Sequence, residues 1–289
     1  MSGPPGPGPG GGVGVVTDSV ACVPAELAQA LPIEVVPVWI HLGGQSFRDG
    51  VDIEAQEVYR RLRAGEAATT SAPPPADFLA AFRRLSRRGM RQVVVITLPP
   101  EMTAIYQNAR IAARQSDLPV EVLDCRTAAA AQGWVAIEAA RAAGRGGGLE
   151  EVVARAREVA ARARLFAMVP ELRYLRRGGR LVQGLARVGA ALGVVPILSL
   201  GASGKIEPVA LTRSPEAGEE RIVREMRADA ARGRLHVTVM EADAKEQAMG
   251  LVERIRAELV PAECFVVPFT PAMGVHAGPG IVGVGYWVE

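Results

Sequence analysis

Residues 13–19 read VGVVTDS, an apolar run that ends in three polar residues. A short valine-rich run of this kind is typical of a buried strand, and residues 24–31 after it predict a helix with proline in its first turn. Residues 33–42 are apolar and β-branched enough to predict a second strand. The chain therefore begins as a strand, a helix and a strand.

The same alternation continues through the first half of the chain. Strands are predicted at 93–98 (VVVITL) and 120–125 (VEVLDC), and helical spacing of apolar residues recurs between and after them. Residues 47–53 (FRDGVDI) predict a turn with Asp52 as the N-cap of a helix, and residues 69–78 (TTSAPPPADF) predict a loop. Alternating strands and helices favour a largely parallel sheet that is covered on both faces.

The second half of the chain predicts a further α/β unit. After a flexible joint at 144–148 (GRGGG) and a long amphipathic helix, VVPILSL and KIEPVAL flank the turn GASG and predict a β-hairpin. Ser214 before Pro215 predicts a helix start, and Asp243 with Glu246 resembles a capping box. We predict three parts, namely a disordered Gly/Pro leader (1–12), an N-terminal α/β domain (13–164) and a C-terminal α/β domain (165–289).

Composition and charge exclude several classes of protein. The net charge of +2 offers no phosphate-neutralising surface, so we expect no nucleic-acid partner. No secretion signal and no uninterrupted apolar run of about 20 residues is present, which favours a cytoplasmic protein. The three cysteines are far apart and form no C-x-x-C pair, so we expect free thiols and no metal site.

Hydroxyl side chains follow several predicted strands, where ligands of open α/β sheets bind. These are Thr17 with Ser19, Thr70 with Ser71, and Thr103. Hydroxyls at such positions are also common N-caps and turn residues, and both interpretations remain open.

Histidine and arginine supply the other candidate groups. His276 lies in the glycine-rich segment VHAGPGIVG, where it would either meet a ligand or pack for structural reasons. Arg180, together with two arginines just before it, would either bind an anion or end a helix. The usual catalytic motifs are absent, so the residues alone predict an α/β protein with a site for an anion and no identifiable mechanism.

Seven short motifs, in order, resemble those of the DegV family, whose better-understood members are fatty acid-binding subunits of bacterial fatty acid kinase. They span residues 13–289 and are Thr17-Asp18-Ser19, FRDGVDI at 47–53, Thr70-Ser71-Ala72-Pro73, YQNA at 106–109, YLRRGGRL at 174–181, GKIEP at 204–208 with Arg213, and HAGPG at 276–280. The chain departs from the family pattern at Ala72, Ala104, Ile105 and Val195.

The resemblance implies a two-domain DegV-like α/β fold, with a mostly parallel sheet in the first domain and a mixed sheet in the second. It also implies an apolar tunnel that binds a long-chain fatty acid as the ligand. No cofactor is expected. The carboxylate would be held by Thr70, Ser71, Thr103 and His276, with Arg180 and Arg213 facing the head group or a partner. That partner would be the catalytic subunit of a fatty acid kinase, and a transient contact with a membrane surface would be compatible with this role.

The leading hypothesis is thus a lipid carrier without its own catalytic activity, which presents a carboxylate for acyl-phosphate formation and serves phospholipid metabolism. An alternative is a stand-alone enzyme that acts on a small anion with His276 as acid and base. A third is a regulatory or scaffolding module in which lipid only stabilises the fold.

Overall fold

The structure is a computed structural model and describes residues 12–179, 194–201 and 203–289. Its strands are β1 (Val13–Asp18), β2 (Ile33–Val36), β3 (Trp39–Leu42), β4 (Gln45–Arg48), β5 (Ala68–Ser71), β6 (Gln92–Thr97), β7 (Val120–Asp124), β8 (Arg164–Met168), β9 (Val195–Leu200), β10 (Ile206–Thr212), β11 (Leu235–Glu241), β12 (Glu263–Pro268) and β13 (Val282–Val288). Its helices are α1 (Ala25–Ala30), α2 (Ala55–Arg63), α3 (Pro75–Arg87), α4 (Ile105–Arg114), α5 (Ala129–Gly144), α6 (Leu149–Arg162), α7 (Leu172–Arg177), α8 (Pro215–Ala230), α9 (Lys245–Leu259) and α10 (Pro271–Ala277).

A four-stranded parallel sheet with the order β2-β1-β6-β7 forms the centre of the first half of the chain. The prediction of one strand over 33–42 was wrong, because β2 joins this sheet and β3 leaves it for another. Pro37 lies between them and has no N–H for a ladder hydrogen bond. The next N–H, that of Val38, donates instead to Ser19 Oγ at 3.0 Å.

A small antiparallel sheet with the order β4-β3-β5 stands beside the parallel one. Residues 69–71, predicted as part of a loop, belong to its edge strand β5, where Thr70 lies opposite Ile40. Asp52 does not cap α2, because its carboxylate accepts from the Arg48 guanidinium at 2.8 and 2.9 Å, and Glu54 occupies the N-cap position.

A six-stranded mixed sheet with the order β10-β9-β8-β13-β11-β12 organises the second half. The hairpin β9–β10 and the helix start at Ser214 are confirmed, since Ser214 Oγ accepts from the backbone N–H of Ala217 at 3.3 Å. The capping box at Asp243 was wrong. Asp243 has a left-handed backbone with φ of 56°, and the carboxylate of Glu241 accepts from the Ala244 N–H instead.

Helix α5 connects the two large sheets, because it packs against β1 on one side and β13 on the other. Its alanines and Trp134 are buried, and its charged side chains, Glu138 and Arg141, lie in its C-terminal half. The parallel sheet and the mixed sheet confirm the predicted α/β class. The division at 164/165 stays a prediction, because one apolar cluster contains both Val13 and Trp287.

Candidate functional site

A largely apolar cavity of about 170 Å³ lies between the two halves of the chain and opens to solvent. Its wall is built by β5, the β6–α4 connection, the start of α5, strands β8 and β9, and α10. Leucine, isoleucine, valine, alanine and methionine side chains dominate the wall. Among the described residues that line the cavity, His276 is the only titratable one. A lining of this kind suits a ligand with a large apolar part.

The polar part of the cavity centres on Thr70 and His276, which are 206 residues apart in the chain. Thr70 Oγ1 lies 2.7 Å from His276 Nε2, and Thr103 lines the same cavity. His276 belongs to the last turn of α10, a helix that was not predicted from the glycine-rich segment VHAGPGIVG. The helix start is visible in retrospect, since Thr270 precedes Pro271 and is the N-cap.

Ser71 also lines the cavity, but its hydroxyl has a different partner from that of Thr70. Successive side chains of a strand point to opposite faces, so Thr70 and Ser71 diverge. Ser71 Oγ lies 2.9 Å from His41 Nε2, and His41 Nδ1 lies 2.8 Å from Ser46 Oγ. The structure therefore adds His41 to the polar groups near the cavity, a residue that sequence reasoning had not selected.

Thr17, Asp18 and Ser19 do not take part in the cavity lining of the described chain. Asp18 is buried, and its carboxylate accepts from the Val20 N–H at 3.0 Å and from Gln132 Nε2 at 2.9 Å. Gln132 also donates to Thr17 Oγ1 at 3.0 Å. The crevice at the carboxyl ends of β1 and β6, where such sheets often bind ligands, is thus filled by a side chain of α5. Burial raises the pKa of the Asp18 carboxyl to about 7.

The arginine candidates lie away from the polar part of the cavity or outside the described residues. Arg180 falls in the latter group. Arg213 is exposed and follows Thr212, whereas the cavity is lined by Ile206 at the opposite end of β10.

The departures from the family pattern differ in their positions. Ala72 and Ile105 line the cavity, so they bear on its shape. Ala104 is exposed, and Val195 begins β9 outside the cavity lining.

Within residues 12–179, 194–201 and 203–289, no cluster of three or more histidine, cysteine, aspartate or glutamate side chains could hold a metal ion. In the same ranges, no helix has the length and apolar character needed to cross a bilayer.

Similar sequences extend over nearly the whole chain. A DegV domain-containing protein of Streptomyces coelicolor is 34% identical over 275 residues, covering 94% of this chain and 97% of its own. One from Caldanaerobacter subterraneus is 31% identical over 280 residues, with coverage of 94% and 97%.

Solved structures agree with this likeness. A DegV family protein from Thermus thermophilus, described as binding fatty acid, has a TM-score of 0.89 and 26% identity over 96% of this chain and 100% of its own. DegV from Bacillus subtilis, described as a fatty acid binding protein, has a TM-score of 0.86 and 26% identity with the same coverage. The model of the DegV family of uncharacterised proteins matches residues 12–289, and we conclude that the chain belongs to the DegV family.

Proposed function

We propose that this chain binds a long-chain fatty acid in the cavity, with the acyl chain along the apolar wall and the carboxylate beside Thr70 and His276. Thr103 completes the proposed head-group site, and Ser71, whose hydroxyl lies 2.9 Å from His41 Nε2, also lines the cavity. The observation that carries the proposal is the hydrogen-bonded Thr70–His276 pair in a largely apolar cavity. The fatty acid binding described for the similar proteins of Thermus thermophilus and Bacillus subtilis supports it.

The energetics favour a long acyl chain over a small anion. Burial of one methylene contributes about 0.8 kcal/mol, so the roughly 14 methylenes of a 16-carbon acid contribute about 11 kcal/mol before the cost of ordering. A hydrogen bond to the charged carboxylate contributes about 1.5–3 kcal/mol. The apolar wall would thus supply most of the affinity, and the polar pair would set the orientation of the ligand.

The proposal includes delivery to a partner. The cavity opens to solvent and Ser71 is exposed, so a carboxylate beside it would be within reach of a second protein. We propose that a separate ATP-dependent fatty acid kinase phosphorylates this carboxylate, with Arg180 and Arg213 facing that partner. In this scheme the chain supplies the binding site, and the kinase supplies the nucleotide chemistry.

Lipid extraction tests the first part. The purified protein is denatured, extracted and examined by mass spectrometry, and a delipidated sample is titrated with 12-, 16- and 18-carbon acids. We expect about one fatty acid per chain, or tight rebinding of the longer acids. An empty, well-folded preparation that binds none of these acids would refute the proposal and favour the stand-alone enzyme with His276 as acid and base.

Acyl-phosphate trapping tests the second part. Protein loaded with palmitate is incubated with ATP and hydroxylamine, with and without a purified bacterial fatty acid kinase catalytic subunit. We expect palmitoyl hydroxamate only when the kinase is present. Hydroxamate formed by this chain alone would show that it is an enzyme, and no hydroxamate with an active kinase would reject delivery while leaving fatty acid binding intact.

A further inference from the structure

Helix α10 carries His276 but is too short to hold its own position. It contains seven residues, Pro271–Ala277. Helix nucleation is costly, and an isolated helix of this length is unstable in water. The position of His276 therefore depends on the contacts that other parts of the chain make with α10.

Asp49 makes one of these contacts at the first turn of the helix. Its side chain is buried, and Oδ1 accepts from the backbone N–H of Ala272 at 2.9 Å. Oδ2 accepts from Ser19 Oγ at 2.6 Å, while Ser19 Oγ accepts from the Val38 N–H at 3.0 Å. Burial raises the pKa of the Asp49 carboxyl, and the hydrogen bonds from Ser19 and Ala272 oppose that rise. This chain of bonds joins the end of β1 to the start of α10.

Tyr59 prevents α10 from sliding along α2. Its hydroxyl donates to the carbonyl oxygen of Phe269 at 2.7 Å. Its ring lies so close to Gly274 that a Cβ atom at that position would overlap it. The helix is thus held by a hydrogen bond just before its start and by close packing in its middle.

The two ends of α10 are mechanically linked. Ala272 and His276 are four residues apart, which corresponds to about 6 Å along a helix axis. A shift of the first turn therefore moves the histidine ring by a similar amount. The bond between Thr70 Oγ1 and His276 Nε2 is 2.7 Å long, so a shift of well under 1 Å would weaken it.

We propose that Asp49 and Ser19 are positioning residues for the carboxylate end of the cavity, because they hold α10 where His276 meets Thr70. Neither residue belongs to the described cavity lining, so each acts through the helix. This inference rests on the proposed function, since the ligand whose carboxylate is oriented is a fatty acid. Ser19 and Asp49 belong to the motifs at 17–19 and 47–53, and neither motif lines the described cavity.

The test compares two ligands that differ only at the head group. Radiolabelled palmitate and methyl palmitate are partitioned between cyclodextrin and delipidated protein, for the wild type, Ser19→Ala and Asp49→Asn. Ser19→Ala removes the donor to Asp49 and is the milder change. Asp229→Asn is the matched control, because Asp229 accepts from Tyr286 Oη at 2.9 Å and does not line the cavity within the described chain.

We expect palmitate affinity to fall about fivefold or more in both variants, the effect of about one lost hydrogen bond. Methyl palmitate should change by less than about twofold, because it lacks the charged group that His276 and Thr70 orient. Asp229→Asn should leave both affinities unchanged. Equal losses for the two ligands, or no loss in either variant, would overturn the inference. Wild-type protein that fails to bind palmitate would refute the proposed function instead.

Discussion

Gly178→Ala adds one methyl group directly against the histidine of the proposed head-group site. Gly178 follows α7 and has φ of −77° and ψ of 0°, a conformation that alanine adopts without strain. The added Cβ would lie 2.5 Å from His276 Nδ1. The perturbation therefore acts on the imidazole ring and leaves the backbone of α7 in place.

The distances set the size of the effect. A separation of 2.5 Å is roughly 1 Å shorter than ordinary van der Waals contact, so the ring must move by about that amount. Nε2 is already 2.7 Å from Thr70 Oγ1, and a displacement of this size either compresses that bond or breaks it. Losing a hydrogen bond to a charged carboxylate costs about 1.5–3 kcal/mol, so palmitate affinity should fall about 10- to 100-fold.

Partitioning of radiolabelled palmitate from cyclodextrin into delipidated protein measures this effect, with thermal unfolding as the check on folding. Gly250→Ala is the matched control, because Gly250 lies in α9 with no atom within 4 Å of an added Cβ. That substitution should leave palmitate binding unchanged and raise stability slightly. Unchanged palmitate affinity in a folded Gly178→Ala variant would refute the placement of His276 at the head group.

Three further outcomes follow from other parts of the structure. Ala167→Phe adds a ring to the cavity wall, so binding of an 18-carbon acid should fall about tenfold while a 12-carbon acid is less affected, as measured by competition with labelled palmitate. The raised pKa of Asp18, about 7 because of burial, means that the folded protein keeps a proton that the unfolded chain releases above about pH 4. The contribution of this proton to the free energy of unfolding is therefore lost as the pH rises from 4 through 7. Asparagine cannot ionise, so the melting temperature of Asp18→Asn should fall less over this range than that of the wild type. Parallel plots of melting temperature against pH for the two proteins would contradict this. Glu138→Ala should lower the free energy of unfolding by about 3 kcal/mol in urea titrations. The reason is that buried Glu138 accepts hydrogen bonds from Arg141 at 2.9 Å and from Arg155 at 2.6 Å. A loss below about 1 kcal/mol would show that the two arginines find other partners.

Local patterns in the sequence predicted most of the regular elements. Valine-rich runs predicted β1 and β6, and the helical spacing of apolar residues between the strands at 93–98 and 120–125 predicted α4, because burial on one or two faces leaves a periodic pattern. One error fell where a long-range contact decided the local structure, because residues 69–71 form β5 by pairing with β3. Another was local, because Arg48, four residues before Asp52, holds the carboxylate that was expected to cap α2.

The sequence by itself determined the α/β class, the hairpin β9–β10 and the family motifs, because each depends on residues that are near one another in the chain. Only the tertiary structure decided which motifs share a site. It brings Thr70 to His276 across 206 residues, and it joins Ser19 and Asp49 to the start of α10. No local sequence pattern predicts these contacts, because they arise from the packing of α10 against α2, β5 and α7.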